Sequence, residues 1–360
     1  MANEFFIDEH TSVMQKLVRE VTNDPATYRG SSVIPSVALP VRKIRTEVIE
    51  ASGGLTNEHV IGTDTQLVQS FGTRVQEFEP PAYKEAILYD EKKILFLREL
   101  GKNDYSKRGI RQYIEEDVNR LNRRLEARIE QLRWSAIFTG QFQYLGASFS
   151  YGFISANNAV PVGALWSLDG VTANAAANPL IDLRYWLTGG YAQFRKYKVT
   201  KVIMNPNTAR FMLDNVNTRN FLTSMYANAA ISNYDINKAV QFVIPGCPEI
   251  ELYEGWYQQE SVDGTGKIVV GNATYMIPDG KIFLECALPG GDKVGEFVQG
   301  AHLASGSIDQ PGFGKFLVMD ECIAPGTRGG PQNPYLQIIA GVYGGVKIDR
   351  PFDVLTATVV

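Results

Sequence analysis

Cysteine and histidine are scarce, with three of each in 360 residues. Cys247, Cys286 and Cys322 are odd in number, widely spaced and without a C-x-x-C partner. That excludes a disulfide framework and fits buried free thiols in a reducing cytosol. His10, His59 and His302 stand at no metal-ligand spacing from one another or from a cysteine, so no zinc site is expected. Charge is also modest: charged residues make up 21% and the formal net charge is -4, which argues against a chain whose main task is to grip nucleic acid through a basic face. No apolar run approaches the roughly 18 residues of a membrane span. The opening stretch from Met1 to His10 lacks the basic and apolar regions of a secretory signal.

Catalytic motifs are missing too. There is no G-x-S-x-G, H-E-x-x-H or EF-hand pattern. Asp263-Gly264-Thr265-Gly266-Lys267 looks like a phosphate loop, but Ser261 stands where a Walker A motif needs its first glycine. Ile268 replaces the magnesium-binding hydroxyl residue, so the stretch reads as a hairpin turn. Gly312-Phe313-Gly314 lacks the third glycine of a dinucleotide loop, with Leu317 in that place. No catalytic, cofactor-binding or metal-ligating residue is assigned, and no cofactor is expected.

What is present is one long helical pattern, Lys107 to Gly140. Ile114, Val118, Leu121, Leu125, Ile129, Leu132 and Ala136 recur at spacings of three and four and share a face. Glu115, Glu116, Asp117, Arg120, Arg123, Arg124, Glu126, Arg128, Glu130 and Arg133 fall on the other faces and read as an ion-paired, solvated surface. A nucleic-acid stripe is the rival reading of these arginines, and a coiled coil the rival reading of the apolar face. Ser106 is the candidate N-cap and Gly140 the natural stop. About thirty residues make a rod of roughly 45 Å, along which something must lie.

The rest of the chain is organised around that rod. At 360 residues it exceeds the roughly 250–300 at which single cores stop growing, so two lobes are expected. Residues 1–40 read as an arm, with a short helix from Glu9 to Val21 and an extended run from Tyr28 to Pro40. Val41–Glu50 reads as a strand. Leu55–Pro81 has no helical period and is too long for an ordinary loop. It reads as a protruding two-stranded hairpin with its tip near Gly62–Asp64, or else as a flexible surface loop. A lone hairpin is marginal in water and needs another subunit to rest on. Tyr83–Leu100 reads as helix-like or mixed, and Gln141–Ile154 as a hairpin turning at Gly146. A second lobe begins at Asn178-Pro179. Its expected helices start at Leu180, Pro206 and Arg219. Its expected strands are Val199–Met204, Ile250–Trp256, Lys267–Gly271 and Lys281–Ala287, with hairpin turns at Asp263-Gly264 and Asp279-Gly280. Two strands close the chain between Tyr335 and Val359.

This order of elements, together with FGTRVQEFEPPAY (Phe71–Tyr83), the following KEAILYDEKKILFLRELG, VTKVIMNPNTARFML (Val199–Leu213) and KIDRPFDVLTATVV (Lys347–Val360), resembles the lambda-type major capsid protein E family of tailed phages. The resemblance implies an α+β chain of the Hong Kong 97-type capsid fold. Residues 1–40 would form the N-terminal arm and 53–82 the extended loop. Residues 41–52 and 83–178 would form a peripheral domain around a spine helix at 107–139. Residues 179–330 would form an axial domain, and 331–360 strands returning to the peripheral domain. It further implies a structural protein that assembles as pentamers and hexamers into an icosahedral virion shell around double-stranded DNA, built in the host cytoplasm. The implied partners are further copies of itself, a portal, a separate scaffold protein and, in some relatives, a decoration protein; no membrane is involved. Candidate subunit contacts are Glu58, Asp64, Arg74 and Glu77 on the loop and Arg120, Arg124 and Arg128 on the spine. An encapsulin-like compartment and an α/β enzyme with a site in 179–330 are the competing expectations.

Overall fold

The computed structural model describes residues 28–49, 73–89, 92–93, 104–144, 147–153, 157–188, 198–225, 248–262, 268–288, 291–302, 312–322 and 335–360. The expected short helix at Glu9–Val21 and the hairpin tip at Gly62–Asp64 lie outside these residues.

The long helix, α2, runs from Asp104 to Thr139, with α1 a single turn at Gly30–Val33. Helix α2 starts before Ser106, which therefore sits inside it rather than capping it. It ends where Gly140 takes φ 63°, a conformation that costs glycine nothing. All seven residues of its apolar stripe are buried. The N-terminal half of the stripe, Ile114, Val118 and Leu121, packs on Tyr89, Ile338 and Ala340.

Those partners belong to the first of two main sheets. Its axis is β17 (Tyr335–Ile348), fourteen residues long. The first part of β17 is flanked by β16 (Lys315–Cys322) and β4 (Ala82–Tyr89), both antiparallel. The last part pairs with β13 (Gly295–Gln299), which in turn carries the short arm strand β1 (Ser36–Ala38). Tyr83–Leu100 is expected to be helix-like or mixed; among the described residues it is mixed, with strand β4 over 82–89 and helical residues at 92–93. Tyr83, Ile87 and Tyr89 turn inward while Lys84, Ala86 and Leu88 face out, an alternation met by a neighbouring strand, and tertiary pairing overrides helix propensity. The arm is likewise not simply extended: a helical turn precedes β1.

The second sheet has the order β7 (Asn158–Ala159), β18 (Leu355–Thr358), β12 (Lys281–Cys286), β8 (Val199–Met204), β9 (Glu249–Leu252). It is buried on both faces. Val202, Met204, Ile282, Leu284 and Leu355 pack with helices α3 (Pro179–Leu187) and α4 (Pro206–Asp214). Ile203 and Phe283 point the other way, into the core that holds Leu125, Ile129, Leu132 and Trp134 of α2. The period of two along each strand therefore joins two cores through one sheet. The two closing strands, expected to return together, part: β17 joins the first sheet and β18 the second. The turn at Asp279-Gly280 is present, but it leads from β11 (Ile268–Tyr275) to β12, which pairs elsewhere, so it closes no hairpin.

Among the described residues four two-stranded ribbons stand apart from the main sheets, and two of them flank the spine. Strand β2 (Ile44–Ile49) pairs with β3 (Thr73–Phe78), Ile44 opposite Phe78 and Ile49 opposite Thr73. The excursion therefore starts one strand earlier than residue 53. Its root is fixed by Phe78, whose ring lies 5.5 Å from Phe142 and 4.8 Å from Phe149, on the hairpin β5 (Gln141–Tyr144) and β6 (Ala147–Ser150). The second ribbon is β10 (Trp256–Val262) with β11.

Candidate assembly surface

The charged residues of α2 divide sharply. Arg124 is forked between two elements. Its Nε donates to Glu85 Oε2 of β4 at 2.5 Å and its Nη1 meets Glu260 Oε1 of β10 at 2.7 Å. These carboxylates hold the guanidinium pKa above its ordinary value, the Glu85 hydrogen bond contributing most. Arg128 lies over the Tyr83 ring at 5.4 Å, a cation–π contact, and donates to Gln131. Between helix and ribbon runs an open groove of about 630 Å³, lined by Tyr83, Glu85, Arg124, Arg128, Trp256 and Glu260 among others. Arg120 is exposed and lines a neighbouring depression with Glu116, Asn119 and Arg123.

Further along the helix Glu130 and Arg133, expected on the solvated face, are buried. Glu130 Oε1 accepts from the Gly30 backbone N–H at 2.7 Å, from Trp134 Nε1 at 2.7 Å and from the Tyr253 hydroxyl at 2.8 Å. Glu130 Oε2 accepts from Arg133 Nη1 at 3.3 Å, and Arg133 Nη2 donates to Ser36 Oγ at 2.7 Å. One carboxylate thus ties the arm, the helix and the segment after β9 together. Burial, reinforced by the charge and hydrogen bond of Glu130, pushes the Tyr253 hydroxyl well above its ordinary range. A Cβ at residue 30 would fall 2.6 Å from Glu130 Oε2, so only glycine allows this approach. Next to it Arg29 reaches Glu251 of β9 at 2.8 Å and Glu285 of β12 at 2.6 Å. The root of the arm is therefore fastened at both ends of a short segment.

Sequence reasoning missed this anchor. The one local hint is that Glu130 and Arg133 adjoin Ile129, Leu132 and Trp134; the partners at residues 30 and 253 are not legible in the sequence. Of the predicted contact residues, Glu58 and Asp64 lie outside the described residues. Arg74 sits on β3 opposite Val48, and Glu77 is exposed on β3 opposite Arg45. The structure brings Arg124 and Arg128 together along the groove, with partners inside their own chain; Arg120 lies beside them. Among the described residues no cluster could hold a metal ion, and no helix is long and apolar enough to cross a membrane.

The fold is shared with solved phage proteins. A crystal structure described as the proposed capsid protein of a prophage of Escherichia coli CFT073 matches with TM-score 0.54 at 12% identity, over 97% of this chain and 99% of that one. A phage-related protein from Bordetella bronchiseptica RB50 matches with TM-score 0.50 at 8% identity, over 96% of each. Likeness at such identities establishes the fold, of the Hong Kong 97 capsid type. In sequence, the model of the family described as phage major capsid protein E matches residues 12–300. That match does not favour the encapsulin-like alternative, and it implies a structural rather than an enzymatic role. The chain belongs to the phage major capsid protein E family and is a structural subunit of the virion capsid.

Proposed function

We propose that this subunit assembles as pentamers and hexamers into an icosahedral shell enclosing phage double-stranded DNA, and that it does so in the host cytoplasm with a separate scaffold protein, a portal and in some circumstances a decoration protein. The observation that carries the reading is the rooting of the two excursions. The arm leaves from Arg29 and Gly30, held by Glu251, Glu285 and Glu130, and the extended loop leaves from β2 and β3, held by Phe78. The N-terminal arm and the extended loop would reach neighbouring subunits, with Glu58, Asp64, Arg74 and Glu77 as the contact candidates toward the neighbour's spine near Arg120. Arg124 and Arg128 would support that surface from within their own chain. The domain boundaries then follow the two sheets, the first with α2 forming the peripheral lobe and the second with α3 and α4 the axial lobe. A net charge of -4 suits a container that encloses DNA without clamping it.

Electron microscopy of the purified protein with sizing chromatography is the test. Five- and six-membered rings, sheets or closed shells are expected, alone or after adding a scaffold protein. A stable monomer under every such condition would refute the reading. Charge reversal, Arg74→Glu, is expected to lower shell yield and heat resistance; unchanged values would remove Arg74 from the contact.

A further inference from the structure

The groove between α2 and β10 carries more positive charge than its own carboxylates neutralise. Lys84, Arg123, Arg124 and Arg128 line it, against Glu85 and Glu260. Arg124 alone engages both carboxylates. Lys84 stands over the Tyr343 ring at 4.7 Å, and Arg128 over the Tyr83 ring at 5.4 Å. Arg123 is exposed and has no ion pair among the described residues. The groove also has an aromatic wall. Trp256 is 56% exposed on β10, whereas Trp134, Trp166 and Trp186 are fully buried. An open indole beside guanidinium groups that lack a carboxylate suits an anionic occupant bringing an aromatic side chain of its own. At about 630 Å³ the space has the size of a small binding pocket. It takes a few residues of extended chain and not a nucleic-acid duplex, and Glu85 and Glu260 would repel a phosphate backbone.

The chain holds a stretch of that chemistry ahead of Tyr28. Asn3 to Glu9 reads NEFFIDE: Glu4, Asp8 and Glu9 surround Phe5, Phe6 and Ile7, and no lysine or arginine occurs before Lys16. The tether from this stretch ends beside the groove. Tyr28 packs on the core that holds the buried half of α2. Burial, and then the Glu130 charge, raise the pKa of its hydroxyl against the opposing pull of Arg123. The arm therefore leaves within electrostatic reach of a groove residue. Tyr28 follows Glu9 by nineteen positions, a length that spans at most roughly 65 Å. A tether of this kind sets an effective concentration on the order of millimolar, far above that of a second subunit in dilute solution.

We infer that Asn3–Glu9 docks in the α2–β10 groove of its own chain while the subunit is free, its carboxylates complementing Arg123 and Arg128 and a phenylalanine meeting Trp256. The purpose of this contact rests on the reading of the chain as a shell subunit: it stows the arm until assembly, when a neighbour competes for it.

The test reads Trp256, the one open tryptophan of the four, by acrylamide quenching of the full-length chain at a concentration where sizing chromatography shows free subunits. Wild type should be shielded. The triple variant E4K/D8K/E9K should lose that shielding and emit further to the red. Salt at about 1 M, where the Debye length is roughly 3 Å, should do the same to wild type. W256F should abolish the difference between the two arms. The synthetic peptide NEFFIDE, added to the triple variant, should restore shielding, and NQFFINQ should not. Equal quenching of wild type and triple variant would overturn the inference. So would shielding that grows with protein concentration, which would give the groove to a second copy, or protection by a single-stranded oligodeoxynucleotide exceeding that of the peptide. Shells formed by a chain whose free subunit leaves Trp256 open would keep the shell reading and sink the docking. Shielding in a chain that never assembles would keep the docking and sink the shell reading.

Discussion

The two halves of α2 carry the same kinds of side chain and use them differently. From Ile114 to Leu125 one face is buried and the charges lie at the rim, where Arg124 is 36% exposed and its partners Glu85 and Glu260 are 49% and 29% exposed. From Ile129 to Ile137 the helix runs between both sheets, and the pair Glu130–Arg133 is taken inside with Trp134. Spacing and composition are alike; what differs is what the rest of the chain packs on top. A rim pair stays in high dielectric and each charge can return to water. A buried pair cannot, so its groups must be met inside, as all but Arg133 Nε are. The second half is therefore committed to its partners in a way the first is not.

The sharpest way to break the comparison is to remove the buried carboxylate. Glu130→Ala leaves the Arg133 charge and three donors without their acceptor. It should cost about 3–5 kcal/mol of subunit stability, read by chemical denaturation. The double variant Glu130→Leu with Arg133→Met should recover much of that loss, because an apolar pair of similar volume removes the unpaired charge as well. A cost under about 1 kcal/mol, the value of a rim pair, would erase the distinction between the halves. Next in size is Gly30→Ala. The new Cβ would meet Glu130 Oε2 at 2.6 Å, and the expected loss is about 1–3 kcal/mol. Local unfolding should appear first in the arm, as faster hydrogen exchange around Gly30–Ile34 than in β17.

How much of this was legible in the sequence follows the same division. The stripe of α2, strand β8, helix α4 behind its Asn205-Pro206 start and the closing strands were readable because each is a local period or a capping pattern. Asn205 does cap α4, accepting from the Thr208 N–H at 2.7 Å. The buried Glu130 was not readable, because its partners come from residues 30 and 253, and a lone sequence does not say that these meet. Strand β4 could not be told from helix for a similar reason: it is made a strand by β17, some 250 residues away in the register Tyr89 opposite Leu336. The contact candidates on the spine were found by charge alone, which locates the groove but does not tell that Arg124 is already paired within its own chain.

A third buried ionisable group extends the comparison to pH. The His302 ring is encased, without a hydrogen-bond partner on either nitrogen. Phe316 lies 4.6 Å from it and Tyr343 6.4 Å, and the Lys84 ammonium sits over the Tyr343 ring. Burial first, and then the Lys84 charge, push its pKa below the ordinary value of 6.5. The fold thus prefers the neutral ring, and the unfolded chain takes up its proton at higher pH. The stability from this preference is present above the unfolded-state pKa and is lost as pH falls from there through the folded-state value. His302→Phe should flatten that part of the stability–pH curve. An unaltered curve would show that the acid sensitivity lies elsewhere.

The smallest expected effect belongs to Arg124, and it is the one that joins stability to assembly. Arg124→Met keeps the stem that lies along the groove and removes the fork to Glu85 and Glu260. With all three groups in partial contact with water, the subunit should lose at most about 1 kcal/mol. That loss should shrink in salt, since the Debye length falls to roughly 3 Å at 1 M. A loss equal to that of Glu130→Ala would mean that the rim half of the helix is as rigidly committed as the buried half. If instead stability is nearly unchanged while shell yield drops, the pairing of β4 and β10 to the spine matters for the shape presented to a neighbour rather than for the fold. The same substitution then separates two tasks of one helix: holding a subunit together through its buried end and meeting other subunits along its open one.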